Sequence, residues 1–153
     1  MNKVLMLTFA LLSLSSSVMG QMRIWAGYDT SPNNVILRLE KVPNGSGTVF
    51  HVHLGYDSTS SSVVFSIQNK KIYPRFEQGY SGRQIAYVTE SHQIYRGYGS
   101  TSMDHMANIR GKWVFMGYTD TSAVATTEDG SDEAGLAAAA FLILGPRNKR
   151  SPE

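Results

Sequence analysis

Thr48 to Ile67, TVFHVHLGYDSTSSSVVFSI, decides how this chain reads. From Thr48 to Leu54 the side chains alternate, with Phe50, Val52 and Leu54 on one face and Val49, His51 and His53 on the other, the period of a half-buried strand. Val63, Phe65 and Ile67 repeat the alternation after Gly55-Tyr56-Asp57-Ser58-Thr59-Ser60. Glycine there permits a reversal, and Asp, Ser and Thr can bond their own backbone, so the segment reads as a polar turn between two antiparallel strands.

The same turn recurs on both sides of this hairpin. It stands upstream as Gly27-Tyr28-Asp29-Thr30-Ser31, and downstream as Gly97-Tyr98-Gly99-Ser100-Thr101-Ser102 and Gly117-Tyr118-Thr119-Asp120-Thr121-Ser122. A reduced form is Gly79-Tyr80-Ser81. Successive Gly-Tyr pairs lie 28, 24, 18 and 20 residues apart, too uneven for a solenoid or propeller. Between the turns, Met22 to Ala26, Val35 to Glu40, Ile72 to Phe76, Gln84 to Thr89, Gln93 to Arg96 and Lys112 to Tyr118 read as short strands. Pro74 marks its strand as an edge, because proline cannot donate to the ladder. Met103, Met106 and Ile109 are three apart and predict a short helical face within Thr101 to Arg110.

Leu136 to Leu144 is a continuous apolar run that suits either a buried helix or a buried terminal strand. Ser131 as N-cap, Asp132 and Glu133 at the positive end, the alanines and the Gly145-Pro146 stop favour the helix. The expected architecture is all-β: an antiparallel sandwich or jelly-roll-like single domain, with one short C-terminal helix or buried terminal strand. With 153 residues, 42% of them hydrophobic, one domain with a real core is expected. The chain has no cysteine, so burial of eight Tyr, two Trp and the aliphatic residues must supply stability.

Residues 1–20 read as a secretory signal peptide: Lys3, an apolar run from Val4 to Leu12, a serine-rich neck, and Val18 and Gly20 before a cut at Gln21. The expected secreted β domain is then 21–145, followed by a basic tail, 146–153, in which Arg147-Asn148-Lys149-Arg150 resembles a proprotein-convertase site cut after Arg150. Asn44-Gly45-Ser46 is a glycosylation sequon on a surface turn. A formal net charge of +2 with scattered basic residues gives no case for nucleic acid, and no apolar run is long enough for a membrane span.

His51 and His53 project from one strand face, as paired imidazoles do in several β-sheet metal sites. Phe50-His51-Val52-His53 with Gly55 and Asp57 resembles the copper-site strand of copper-zinc superoxide dismutases, and Gly45 with His51 and His53 resembles half of a cupin motif. Both likenesses are short, and the further histidines, the disulfide and the second cupin motif do not follow. No serine lies in a nucleophile elbow. No cofactor is expected, and the chain reads as non-enzymatic. The leading expectation is a secreted component of an extracellular matrix, coat or mineralised tissue. The alternative is a soluble lectin-like or effector module that binds a glycan or receptor through a candidate rim of Tyr28, Tyr56, Tyr98 and Tyr118; a small metalloenzyme built on His51 and His53 is a third.

Overall fold

Ten antiparallel strands close into a barrel around one helix. The computed structural model describes residues 21–45, 47–77 and 83–145. In chain order the strands are β1 (Met22–Ala26), β2 (Val35–Asn44), β3 (Gly47–Leu54), β4 (Val63–Gln68), β5 (Lys71–Pro74), β6 (Ala86–Val88), β7 (Gln93–Arg96), β8 (His105–Arg110), β9 (Trp113–Met116) and β10 (Ala123–Thr127), followed by α1 (Asp132–Leu144). Each strand pairs with its neighbours in sequence, and β1 closes the ring on β10 through Ile24 opposite Thr127, Trp25 opposite Thr126 and Ala26 opposite Ala125.

The expected sandwich is therefore corrected to a closed up-and-down barrel. Both architectures need strands with one apolar face; they differ in what that face covers. Here the inward residues Ile24, Leu37, Leu39, Val52, Ile67, Ile72, Ile94 and Val114 surround α1, so no second sheet is required. The helix packs against β1, β2, β4, β5, β6, β8, β9 and β10. Ala134 to Ala140 are all buried, and five of those seven residues are alanine. A helix apolar on every side is one enclosed on every side, and its small side chains let it fit a narrow lumen. At Gly135 a methyl group would stand 2.3 Å from Ile109 Cδ1, so the fit is tight even there.

The capping expectation holds. Ser131 Oγ accepts from Ala134 N–H at 3.2 Å, and Gly145 ends the helix with φ 70°. Asp132 ties the first turn of α1 to the barrel wall, contacting His92 Nδ1 at 2.6 Å and Lys70 Nζ at 3.0 Å.

Two local expectations fail. Residues 105–110 form strand β8, not a helix: Met103 is 96% exposed in the preceding turn, so the three-residue spacing marks no common face. Pro74 does not lie on a sheet edge, because the barrel has none. The β5–β6 ladder ends at Ile72 opposite Ala86, two residues before Pro74, so no ladder bond is lost.

Candidate functional site

The four described Gly-Tyr segments fall on odd-to-even strand connections, β1–β2, β3–β4, β7–β8 and β9–β10, and so share one end of the barrel. Gly79-Tyr80-Ser81, on β5–β6, lies outside the described residues. At the opposite end the chain reverses tightly; Asn69 (φ 52°) and Lys70 (φ 60°) form a two-residue turn between Gln68 and Lys71.

The four described Gly-Tyr turns have nearly the same backbone. Gly27, Gly55, Gly97 and Gly117 have φ of 59°, 61°, 57° and 59°, the left-handed region that favours glycine. In each case the glycine N–H donates to the preceding hairpin around the ring: Gly27 to Val124 O, Gly55 to Ile36 O, Gly97 to Ile85 O and Gly117 to Met106 O, at 2.6 to 2.9 Å. Register irregularities beside the rim, at Ile24/Trp25, Val52/His53, Ile94/Tyr95 and Ala123/Ala125, turn the strand ends toward these contacts.

The tyrosines follow the same circular order. Tyr28 accepts from Ala123 N–H at 2.9 Å, and Tyr56 donates to the Pro32 carbonyl. Tyr118 stacks on His105, with ring centroids 4.0 Å apart. Burial, and then the nearby Tyr98, raise the pKa of Tyr73 above the ordinary tyrosine value. Tyr28, Tyr56 and Tyr118 thus reach from their own turns to the previous hairpin, and Tyr28 joins the first hairpin to the last. Their side chains nonetheless stay 53% to 68% exposed. The rim combines fixed aromatic surface with Leu54, Met103 and Met116, all exposed.

Polar residues tie the turns internally. Asp29 Oδ1 accepts from Ser31 N–H and Asp57 Oδ1 from Thr59 N–H, each at 2.8 Å. These bonds, the backbone one first, hold the Asp57 carboxyl below its usual range. Seven residues after the turn glycine, Asn34, Ser62 and Asp104 close their turns against Asp29, the Thr59 carbonyl and Thr101 respectively.

Ser62 also meets His53, an arrangement the sequence did not reveal. His53 is 2% exposed, with Nδ1 2.9 Å from Ser62 Oγ and Nε2 3.2 Å from Glu40 Oε2. Hydroxyl, imidazole and carboxylate in a line are the parts of a nucleophilic triad. Ser62 Oγ also lies 2.8 Å from the Thr59 carbonyl, a competing acceptor for its one proton, and which partner receives it depends on the His53 tautomer. His51 packs edge-on against Phe76 at 5.2 Å, and burial, then His53, lowers its pKa. Its ring centroid is 6.5 Å from that of His53. Among the described residues no group of three or more His, Cys, Asp or Glu is arranged to hold a metal ion.

Asn44 is exposed at the end of β2, opposite Gly47, and Ser46 of the sequon lies outside the described residues. Gln21 is the first described residue; Gly20 and Arg150 lie outside the described residues. Among the described residues no helix is long and apolar enough to cross a membrane. Compared with protein-family models, with curated proteins and with solved structures, the chain shows no match.

Proposed function

We propose that this chain is a secreted, non-enzymatic recognition protein whose working surface is the Gly-Tyr rim, with a glycan or a receptor as partner. One observation carries the reading: four tyrosines from four hairpins sit at one end of the barrel, each more than half exposed, and three of them, Tyr28, Tyr56 and Tyr118, are engaged with the neighbouring hairpin. Tyrosine supplies large amphipathic contact area with few torsions to immobilise, and fixing the rings before contact lowers the entropy lost on binding. Because α1 fills the lumen, contact falls to the rim and outer wall.

A glycan array with the purified protein tests this. A defined sugar specificity, abolished by Tyr56→Ala or Tyr98→Ala with folding retained, is the expected result. Uniform background binding, unchanged in both variants, would remove the rim from consideration.

The second reading is a fixed component of an extracellular matrix, coat or mineralised tissue. Exposed Leu54, Met103 and Met116 among the tyrosines favour it, since they add apolar area suited to an insoluble surface. Closure of the barrel weighs the other way, because no strand edge is left for sheet-to-sheet polymerisation. Recovery of the native protein mainly from the insoluble residue of its source would favour the fixed component; recovery from the soluble secretion favours recognition.

A further inference from the structure

The circular pattern of the rim is broken at two of its four turns, and the break at Gly55 points to a ligand group. In the last two hairpins the residue two positions beyond the carbonyl that receives the turn glycine is a neutral donor serving that glycine's own carbonyl. Thr126 Oγ1 donates to Gly27 O and Asn108 Nδ2 to Gly117 O, both at 2.6 Å. For Gly97, which donates to Ile85 O, the corresponding position is Tyr87, which donates to Gly99 O. The corresponding position for Gly55, which donates to Ile36 O, is Arg38. Its Nε and Nη2 are buried without a hydrogen-bond partner.

A second orphaned donor stands beside it. Trp25, 6% exposed, has its Nε1 buried and unpartnered. Arg38 lies opposite Arg23, two residues before Trp25 on β1, so Trp25 and Arg38 are diagonal neighbours on the outer wall. Nearby carboxylates are engaged elsewhere. Glu128 binds Arg23 at 2.6 Å, and Glu40, two residues from Arg38 on the same strand, turns to His53. Leaving buried donors unpaired is costly, and a guanidinium more so than a neutral group.

We propose that Arg38 and Trp25 form a subsite for the carboxylate of an acidic sugar. The Nε and Nη2 hydrogens lie along one edge of the guanidinium plane and match the two oxygens of a carboxylate, a bidentate fork. A carboxylate has lone pairs left for the indole N–H. The surroundings suit a sugar ring. Tyr56 crosses from the β3–β4 turn over the top of β2 to Pro32, and the Arg23 guanidinium lies 5.4 Å from the centroid of the Trp25 ring. Arg23 is exposed and outside the core, so it is the side chain that must leave Glu128 to admit the group, while Tyr56 stays seated on the Pro32 carbonyl.

This inference rests on the rim reading and deepens it by naming the sugar class. The test titrates the purified protein calorimetrically with an oligosaccharide ending in glucuronic acid, with its glucose-ended counterpart, and with a glutamate-rich peptide. The glucuronate ligand should bind about tenfold or more tighter than the neutral one, the loss expected when a charged bidentate contact is removed. Arg38→Lys, which keeps charge but not the fork, and Trp25→Phe, which removes only the indole donor, should each erase most of that preference with little change in melting temperature. Equal affinity for the two sugars, unaltered preference in both variants, or stronger binding of the peptide would overturn the proposal. If both sugars bind equally and Tyr98→Ala abolishes that binding, the rim reading stands and the acidic subsite falls; if neither sugar binds, the acidic subsite falls and the rim reading is decided by the glycan array.

Discussion

The two ends of the barrel do different work with the same backbone device. Both use residues of positive φ, Gly27, Gly55, Gly97 and Gly117 at one end and Asn69, Lys70, His92 and Gly111 at the other. At the tight-turn end, two-residue reversals such as Asn69-Lys70 return the chain, and the side chains of Lys70, His92 and Asp132 anchor the start of α1. At the Gly-Tyr end the next strand begins eight residues after the glycine in three cases, at Val35, Val63 and His105. Those extra residues lengthen the turns, and the tyrosine that each carries remains exposed. The lesson is that loop length, not turn chemistry alone, separates an end that anchors from an end that presents.

The largest predicted effect breaks both ends at once, through the helix they share. Ala138→Leu adds three carbons to a fully enclosed position and should cost about 3 kcal/mol, visible as a lower denaturation midpoint. At the presenting end, Ser62→Ala removes the partner of buried His53 Nδ1 and should cost about 2 kcal/mol in the same assay. An active-site probe for serine hydrolases should leave Ser62 unlabelled; labelling would make the Ser62, His53 and Glu40 line catalytic.

At the anchoring end, burial raises the Asp132 pKa, but the bonds from His92 and Lys70 outweigh it and hold the carboxyl below its ordinary value. A depressed carboxylate stabilises the fold above its unfolded pKa, about 3.9, and loses that contribution as pH falls through the lower folded value. Asp132→Asn should therefore cost about 1 to 2 kcal/mol at pH 7, and the gap from wild type should close below about pH 4. The smallest effect on stability belongs to Tyr98→Ala, within about 0.5 kcal/mol for so exposed a side chain, while rim binding is lost.

How much of this could be read in advance differs between the same two ends. The Thr48 to Ile67 hairpin, the recurring Gly-Tyr turns and the Ser131 cap are local patterns, and the structure keeps them. Closure is not local: Trp25 meets Thr126 across a hundred residues, and alternating strands suit a sandwich as well as a barrel. The clue was the alanine run in α1, whose small size matters only once a surrounding wall is known. The candidate tyrosines were legible because glycine and tyrosine recur together. Ser62 facing His53, and Arg38 beside Trp25, were not legible, because each contact depends on register between strands and on how a turn folds back over the outer wall.

One comparison tests most directly the claim that the barrel works through its Gly-Tyr end: Tyr98→Ala at the rim against Glu90→Ala in the turn at the opposite end, both probed on the glycan array at matched melting temperature. The account predicts that specific binding disappears with Tyr98→Ala and persists with Glu90→Ala. Loss of binding with Glu90→Ala while Tyr98→Ala binds normally would contradict it and move the working surface to the anchoring end.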